Sequence, residues 1–387
     1  MHKLDKYITV GAKRMRCGYT TGTCAAAATR AAAELLFNAQ HIPLVRINVP
    51  AGIEVDVDIE SYDHAGDFAE CSVRKDSGDD PDVTDGAFVF ARVERVDAPG
   101  VHIEGGIGVG RVTREGLDQP VGNAAINSVP RKMIAEQVEE ALKACGDAHD
   151  DSRGVLVTIS IPAGVELAKK TFNPRLGIEG GISVLGTSGI VRPMSEEALI
   201  ASIELECSML YARGVRDVLV CPGNYGRDYA RDVLGLDIED CVQCSNYIGA
   251  TLDCIVAMGF TSVLIVGHIG KMVKVASGAM NTHSRVSDAR LETFAAHAAV
   301  CGASSELAAR LLESATTDAA LDLLDEADLL EPVMASVMEK LELRLRHRVG
   351  EDVRIEALVF SNVHGMLGVT DGAGELLNLH RADGTDE

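Results

Sequence analysis

The first half of the chain alternates apolar and polar positions over short segments. LVRINV (44–49), IEVDVDIE (53–60), FAECSVRK (68–75) and FVFARVERV (88–96) have this period of two and are bounded by Gly, Asp or Pro. Such alternation indicates strands with one solvated face, which is typical of antiparallel sheets. We therefore expect an antiparallel sheet here, to which a later strand at 154–162 also contributes.

Two helices are predicted in the same half. Residues 23–38 are rich in alanine, the residue with the highest helix propensity, and Thr21 or Thr23 is the expected N-cap. The second helix, RKMIAEQVEEALKAC (131–145), has apolar residues at helical spacing. A sheet with few helices predicts an α+β domain, which we assign to residues 1–178.

The second half alternates apolar strands with helices. Strands are predicted at 181–186, 215–221, 261–267 and 353–360, and the predicted helices lie at 195–213, 245–260, 288–300 and within 304–348. Apolar strands that alternate with helices indicate a parallel sheet covered on both faces. Residues 179–387 therefore predict a Rossmann-like α/β domain with a mostly parallel sheet.

A glycine-rich or polar turn follows each predicted strand of the second half. Because the carboxyl ends of parallel strands share one edge, where open α/β sheets bind ligands, these turns predict a nucleotide-like ligand there. Each turn taken singly also has a conformational explanation, since tight turns need glycine. The predicted ligand contacts are Gly186, Thr187, Ser188, Gly189, Gly223, Asn224, Gly226, Gly267, His268 and Gly270.

Few side chains in these turns suit acid–base or covalent chemistry. His268 is a candidate acid, base or ligand, with the capping of a strand end as the equal alternative. Lys271 either lies on the solvated face of a short helix or makes a cationic contact to a carboxylated ligand. Cys241 and Cys244 form a CxxC pair, but no second pair accompanies them, so no metal site is predicted.

The formal net charge of −22 restricts the partners of this 387-residue chain. Nucleic acids and anionic membranes attract basic surfaces, so neither is expected as a partner. No stretch approaches the length of a membrane span, and the N-terminal residues lack the apolar run of a secretory signal. The ten cysteines then indicate reduced thiols in the cytoplasm. A small anionic ligand stays compatible if a local basic site exists.

Such a basic site is predicted around the start of the alanine-rich helix. Arg16 precedes a turn that contains Tyr19, Thr20, Thr21 and Thr23, and the amides and dipole of a helix start attract anions. Arg131 borders a second turn of the first domain. The alternative is that these arginines pair with the surplus acidic residues. Cys24 is expected to be a small packing residue.

Five blocks of the sequence carry a family resemblance. GYTTGTCAAAA (18–28), VTREGLDQPVGNAAINSVPRKMI (112–134), NPRLGIEGGISVLGTSGIVRPMS (173–195), PGNYGRDYA (222–230) and GHIGKMVKVASGAMNTHSRVSDAR (267–290) resemble the cobalt-precorrin-5B C1-methyltransferase family of anaerobic cobalamin biosynthesis. The blocks occur in order over most of the chain. Ala125 and Ser128 stand where the family pattern is expected to have proline.

The resemblance implies methyl transfer from S-adenosylmethionine to C1 of a cobalt-containing corrin precursor, giving cobalt-precorrin-6A. We expect S-adenosylmethionine at the second domain's turns. The residues expected to contact the polycarboxylate substrate are Arg16, Tyr19, Thr20, Thr21, Thr23, Arg131, Lys271 and Arg285. Cobalt then arrives within the substrate. A nicotinamide-dependent reductase and a non-catalytic binding protein stay open as alternative functions. The sequence is also compatible with a homo-oligomer.

Overall fold

The computed structural model describes residues 2–145, 154–171, 173–174 and 176–382. The chain forms two compact units, Met1–Glu196 and Glu197–Glu387, each of which is described by itself. The boundary expected after residue 178 falls inside the first unit, because the short strands between 178 and 191 pair with strands of that unit.

The first unit has fifteen strands and three helices among its described residues. The strands are β1 (Tyr7–Val10), β2 (Lys13–Arg16), β3 (Gly18–Tyr19), β4 (Leu44–Val49), β5 (Ile53–Asp58), β6 (Ser61–Ala65), β7 (Phe68–Arg74), β8 (Phe88–Val96), β9 (Gly100–Gly105), β10 (Gly108–Val109), β11 (Arg111–Val112), β12 (Gly154–Ser160), β13 (Ile178–Glu179), β14 (Gly181–Ile182) and β15 (Ile190–Val191). The helices are α1 (Thr21–Asn38), α2 (Ser128–Cys145) and α3 (Gly164–Ala168).

The main sheet of this unit has the order β6-β7-β8-β12-β9. Its pairs are antiparallel except for β12 and β9, which are parallel. The predicted strands at 68–75, 88–96 and 154–162 are confirmed in this sheet, while β4 and β5 form a separate antiparallel pair. The α+β character predicted for the first part of the chain is thus observed.

Helix α1 lies in the core of the first unit. Fourteen of its 18 residues are buried, and it packs against α2, β7 and β8. Alanine suits this position because a side chain of one carbon lets neighbouring backbones approach on all sides. The N-cap is Thr20, not the predicted Thr21 or Thr23, and its Oγ1 accepts a hydrogen bond from the Thr23 amide at 3.2 Å.

The acidic loop at 75–86 contains a partly buried network of ion pairs. Lys75 is only 2% exposed, and its Nζ donates to Asp82 Oδ2 at 2.6 Å. The Arg16 guanidinium donates to both carboxylate oxygens of Asp76 at 2.7 Å. Burial by itself would raise the pKa of Asp76, but hydrogen bonds from Arg16 and the Gly78 amide outweigh it and lower that pKa.

This pairing corrects the prediction that Arg16 binds substrate. Both side chains are largely buried, at 13% exposure for Arg16 and 10% for Asp76. The bidentate geometry uses the planar donor fork that would otherwise hold a ligand carboxylate. Arg16 therefore neutralises an acidic residue of its own unit, which was the alternative raised by the net charge.

The second unit contains five strands and nine helices among its described residues. The strands are β16 (Asp217–Cys221), β17 (Val242–Gln243), β18 (Ser262–His268), β19 (Arg354–Ser361) and β20 (Gly365–Val369). The helices are α4 (Glu196–Ala212), α5 (Asn224–Asp232), α6 (Ile248–Met258), α7 (Ile269–Ala276), α8 (Arg290–Val300), α9 (Ser305–Leu312), α10 (Thr317–Glu326), α11 (Leu330–Val349) and α12 (Ala373–Leu379).

One sheet with the order β17-β16-β18-β19-β20 organises this unit. The first four strands are parallel, and β20 is an antiparallel edge strand. Alternate residues of β18 enter two different cores: Val263 and Ile265 join the larger one, and Leu264 and Val266 join a smaller one with α5 and α12. Both faces are therefore covered, as predicted for 215–221, 261–267 and 353–360.

The expected strand at 181–186 does not belong to this sheet. Only Gly181 and Ile182 are in strand β14, which pairs with β10 of the first unit. The apolar run reflects burial in the first unit, where Ile182 and Val184 are at most 2% exposed. Its assignment to the parallel sheet was wrong because burial alone does not specify which sheet a short apolar segment joins.

Arg16→Ala should destabilise the first unit by about 3–5 kcal/mol, because it leaves a buried carboxylate without its counter-ion. The matched control is Arg46→Ala. Arg46 also binds both oxygens of an aspartate, Asp56, but its side chain is 64% exposed, so a much smaller loss is expected because water screens the pair. Urea unfolding measures both values. Equal losses would contradict the structural role given to Arg16.

Candidate functional site

The strand order of the second unit reverses between β16 and β18. From β16 the chain crosses to β17 on one side and then returns to β18 on the other. Open α/β sheets bind ligands in the crevice outside the carboxyl ends of strands at such a reversal. The carboxyl end of β16 leads through Gly223 into α5, and β18 ends at His268, which begins α7. The candidate site is built from these two connections.

Gly223 shapes the β16 side of the site. Its φ of 102° and ψ of 177° suit glycine alone among the common residues, and α5 begins there without a capping side chain. A Cβ at this position would lie 3.3 Å from Lys271 Nζ. Glycine thus lets a cation and an uncapped helix start come together, and both features favour an anionic group.

Lys271 supplies a positive charge at this edge of the sheet. Its Nζ donates to the Ser245 carbonyl at 2.9 Å, which uses one of the three ammonium hydrogens. Burial lowers the pKa of Lys271 from its ordinary value. Ser245 follows β17 and has a φ of 51°, so the third parallel strand also contributes to the edge. Within the described parts of the chain Lys271 Nζ has no second acceptor, which leaves two donors for a ligand.

His268 lies at the end of β18 with its ring fixed. Its Nδ1 accepts a hydrogen bond from the Gly270 amide at 3.1 Å, which assigns the proton of the neutral ring to Nε2. Burial lowers the pKa of His268, and Asp318 opposes this shift only in part. Asp318 in turn accepts from Ser361 Oγ at 2.6 Å, which connects the carboxyl end of β19 to the same site.

The remaining predicted contacts at this edge have mixed roles. Asn224 Oδ1 accepts from Gln243 Nε2 at 3.3 Å and is exposed at the start of α5. Gly226 and Gly267 serve packing, because a Cβ there would lie 2.4 Å from the Val266 carbonyl oxygen or from Met272 Sδ. The predicted edge thus unites Gly223, Asn224, His268, Gly270 and Lys271. Sequence reasoning missed Gln243, Ser245 and Asp318, since their turns lack a glycine signal.

The loop 186–189 lies in the first unit, where it covers the start of α1. The Gly189 carbonyl accepts from the Thr20 amide at 3.3 Å and from Thr23 Oγ1 at 2.6 Å. A Cβ at Gly186 would lie 2.3 Å from Thr20 Oγ1, and the Ser188 carbonyl accepts from the Ala51 amide at 2.9 Å. The grouping of Gly186, Thr187, Ser188 and Gly189 with the turns of the second unit was therefore wrong.

The predicted anion site at the start of α1 is occupied by these internal contacts. Thr21 Oγ1 donates to the Leu185 carbonyl at 3.1 Å and accepts from the Leu185 amide at 3.0 Å. The Gly22 amide donates to the same carbonyl at 2.9 Å. Tyr19 is 3% exposed, its hydroxyl donates to the Asp56 carbonyl, and burial raises its pKa. The threonine turn is thus a structural cap.

The other predicted cations differ in their availability. Arg131 donates to the carbonyls of Ile126, Ile103 and Ala124 at 2.8, 2.9 and 3.3 Å, so its guanidinium holds three backbone segments. Burial lowers the pKa of Arg131. Arg285, in contrast, is exposed on the loop before α8. Only Arg285 of this pair presents its charge to solvent.

The CxxC pair and Cys24 are buried within the protein. Cys241 and Cys244 are at most 1% exposed, and burial raises the pKa of Cys244 to about 12. Cys24 is fully buried, with its pKa also raised to about 12, in agreement with a packing role. In the part of the chain that the structure describes, no cluster of three or more His, Cys, Asp or Glu side chains could hold a metal ion.

The reversal of strand order in a parallel sheet is a common location for nucleotide-like ligands. Residues 8–193 match the family model described as CbiD, and residues 281–371 match that of the CbiD C-terminal domain. The cobalt-precorrin-5B C(1)-methyltransferase of Ruminiclostridium cellulolyticum is 48% identical over 93% of both chains. That of Alkaliphilus metalliredigens is 41% identical over 99% of this chain and 100% of the relative.

The chain therefore belongs to the CbiD family of cobalt-precorrin-5B C(1)-methyltransferases. Among solved structures, a cobalamin biosynthesis protein (cbiD) from Archaeoglobus fulgidus is 29% identical and covers 72% of this chain and 86% of its own, with a TM-score of 0.38. Within the described residues, none of the helices combines the length and the apolar character that crossing a membrane requires.

Three partly buried histidines predict a loss of stability in mildly acidic solution. Burial holds the pKa of His268, His297 and His380 below the ordinary 6.5, so the unfolded chain binds protons more readily than the folded chain. The contribution of these neutral histidines to the free energy of unfolding is fully present above pH 6.5. It is lost as the pH falls from 6.5 towards the histidine pKa values of the folded state. Aspartates with a lowered pKa, such as Asp76, also stabilise the folded chain, but their contribution is lost only below about pH 4.

The free energy of unfolding, measured with urea, should therefore fall as the pH is lowered from about 7.5 to about 5. His268→Asn keeps a hydrogen-bond acceptor for the Gly270 amide but does not titrate, so the fall should be smaller in this variant. An unchanged pH dependence in His268→Asn would contradict the assignment of a neutral, buried imidazole at this site.

Proposed function

We propose that the chain transfers a methyl group from S-adenosylmethionine to C1 of cobalt-precorrin-5B. The observation that carries this proposal is the 48% identity to a cobalt-precorrin-5B C(1)-methyltransferase over 93% of both chains. Cobalt enters as part of the corrin substrate. The names of the relatives give no support to the nicotinamide-dependent reductase considered from sequence.

S-adenosylmethionine is assigned to the carboxyl edge of the second unit, which we take as a Rossmann-like domain. The donor set fits the molecule: the uncapped start of α5 and the Lys271 ammonium suit its carboxylate, and Gly223 leaves the backbone open to close approach. Asn224 supplies an exposed amide beside them. This assignment replaces the one from sequence, which included the loop 186–189.

When bound, S-adenosylmethionine supplies an already activated methyl group on a sulfonium. The chain then needs no nucleophile of its own, in keeping with buried cysteines whose pKa burial raises. Its contribution is to hold the attacking carbon, the methyl carbon and the sulfur in line, which lowers the entropic part of the barrier. His268 stays neutral because burial lowers its pKa, so it adds no positive charge near the sulfonium.

The acetate and propionate groups of the corrin require exposed cations. Arg285 meets this condition, whereas Arg16 and Arg131 are engaged within the first unit. The backbone amide of Arg285 donates to His283 Nδ1 at 3.1 Å, which orders the backbone from which the exposed guanidinium extends. We assign Arg285 to the substrate, and the first unit keeps its predicted role on the substrate side through surface groups other than the threonine turn.

The direct test is incubation of the full chain with isotope-labelled S-adenosylmethionine and cobalt-precorrin-5B under anaerobic conditions. We expect a product heavier by one labelled methyl group, detected by mass spectrometry, together with S-adenosylhomocysteine. The absence of this product from active, folded protein would refute the proposal. Oxidation of NADPH with the same substrate would favour a reductase.

Lys271→Ala should weaken S-adenosylmethionine binding about 10-fold or more, because it removes a charge-assisted hydrogen bond worth roughly 1.5–3 kcal/mol. Lys132→Ala, a substitution at a side chain that is 79% exposed in the first unit, is the matched loss of one positive charge and should leave affinity unchanged. Isothermal titration calorimetry measures both. If Lys271→Ala bound S-adenosylmethionine as tightly as the parent chain, the assignment of the cofactor to this edge of the sheet would be refuted.

A further inference from the structure

An exposed aromatic ring lies at the carboxyl edge of the second unit. Tyr225 is in the first turn of α5, two residues after Gly223, and it is 65% exposed. Aromatic residues make up only 4% of the chain, which has seven tyrosines and no tryptophan. Single exposed apolar side chains are common on protein surfaces. What distinguishes Tyr225 from such residues is its position at the sheet edge and its contact with other aromatic rings.

The position of Tyr225 follows from the geometry of the strand reversal. Gly223, with its φ of 102°, turns the chain from β16 into α5, so the first turn of the helix starts at the edge. The adjacent Gly226 has no Cβ and packs directly on the β18 backbone near the Val266 carbonyl. This close contact of α5 with β18 fixes where the helix begins, and with it the site from which Tyr225 projects.

Three further rings stand behind Tyr225. The Tyr225 and His268 rings lie 5.8 Å apart between centroids, and His268 meets Phe360 edge-on at 5.5 Å and 88°. Phe360 stacks on Tyr229 at 3.9 Å. Phe360 is fully buried, and the Gly270 amide fixes the His268 ring. Tyr225 is thus the solvent-facing end of an ordered aromatic row, which restricts its ring before any ligand binds.

A ring of this kind recognises a flat partner. Its π face stacks on planar heterocycles, and base–aromatic stacking of this type needs no particular set of hydrogen bonds. Among the described residues the Tyr225 hydroxyl has no hydrogen-bond partner, so the ring is held by its aromatic neighbours alone. Lys271, which lies close to Gly223, places the site for an anionic group within the same crevice.

We propose that Tyr225 is the stacking platform for the adenine of the methyl donor. This inference rests on the proposed function and adds to it the residue that recognises the purine. The proposed reaction has two ligands with flat conjugated rings, the adenine and the corrin. Tyr225 fits the adenine because it lies in the same crevice as Lys271 and the start of α5, which hold the carboxylate of the donor. His268 then acts as a positioning residue for the Tyr225 ring.

The test is the binding of S-adenosylhomocysteine to the full chain and its variants by isothermal titration calorimetry. Tyr225→Ala should weaken binding about 5- to 150-fold, the range measured for the loss of one base–aromatic stack. Tyr225→Phe keeps the ring and should stay within about threefold of the parent chain. Tyr7→Ala removes a tyrosine that is 41% exposed in the first unit and should leave affinity unchanged.

A spectroscopic readout separates stacking from a general structural effect. Binding should reduce the absorbance of the adenine ultraviolet band in the parent chain and in Tyr225→Phe, but not in Tyr225→Ala. Thermal unfolding checks that Tyr225→Ala folds, as expected for an exposed side chain. Parent-like affinity and absorbance change in folded Tyr225→Ala would overturn the inference and leave the proposed function standing.

Two other results would also overturn the inference. If the Tyr225→Ala variant raised the KM for the corrin without weakening S-adenosylhomocysteine binding, the ring would serve the macrocycle instead. If the parent chain bound no S-adenosyl ligand, both this inference and the proposed cofactor would be refuted. The first result leaves methyl transfer intact, so the two failures are distinguishable.

Discussion

The first unit depends on the satisfaction of the amides at the buried start of α1. A helix begins with amides that have no acceptor within the helix, and water cannot reach those of a helix buried on all sides. Thr20 and the carbonyls of Leu185 and Gly189 supply the acceptors. This requirement ties a segment from near residue 189 to one from near residue 20. It explains why the first unit extends to Glu196, beyond the boundary expected from sequence.

In the second unit, the proposed ligand site lies at the carboxyl edge of the parallel sheet. This sheet is covered on both faces, so the strand reversal between β16 and β18 is where the backbone opens towards solvent. Gly223 starts α5 without a capping side chain, and among the described residues Lys271 Nζ donates to the Ser245 carbonyl alone. The starts of α1 and α5 therefore differ: the chain supplies acceptors to the first amides of α1, whereas the start of α5 is where we propose that the ligand binds.

Period and length predicted most of the regular structure. The alternating segments at 44–49 and 88–96 became strands with those bounds, and the alanine-rich helix began within two residues of its predicted start. The run at 181–186 failed because a buried connection has the same apolar composition as a buried strand. The ion pairs of Arg16 and Lys75 with carboxylates of the acidic loop at 75–86 join residues whose pairing no local pattern encodes.

The candidate site was predictable where glycine marks a turn and unpredictable where neighbours come from other strands. Gly223, His268 and Lys271 were found because their turns follow apolar strands. Ser245 and Asp318 join them through the order of the parallel sheet and the packing of α10, which no local pattern encodes. The threonine turn was misread as a ligand site because a cap and an anion site use the same hydroxyl and amide groups.

The contacts between the loop 186–189 and the start of α1 bear on how diverged members of such a family would be recognised. The block that contains Thr20 and Thr23 and the block that contains Gly186 and Gly189 interlock, so a change in one demands compensation in the other. Joint retention of both blocks is thus a signature of inherited architecture. It carries no information about catalytic competence, which has to be judged from the residues around Gly223 and Lys271 instead.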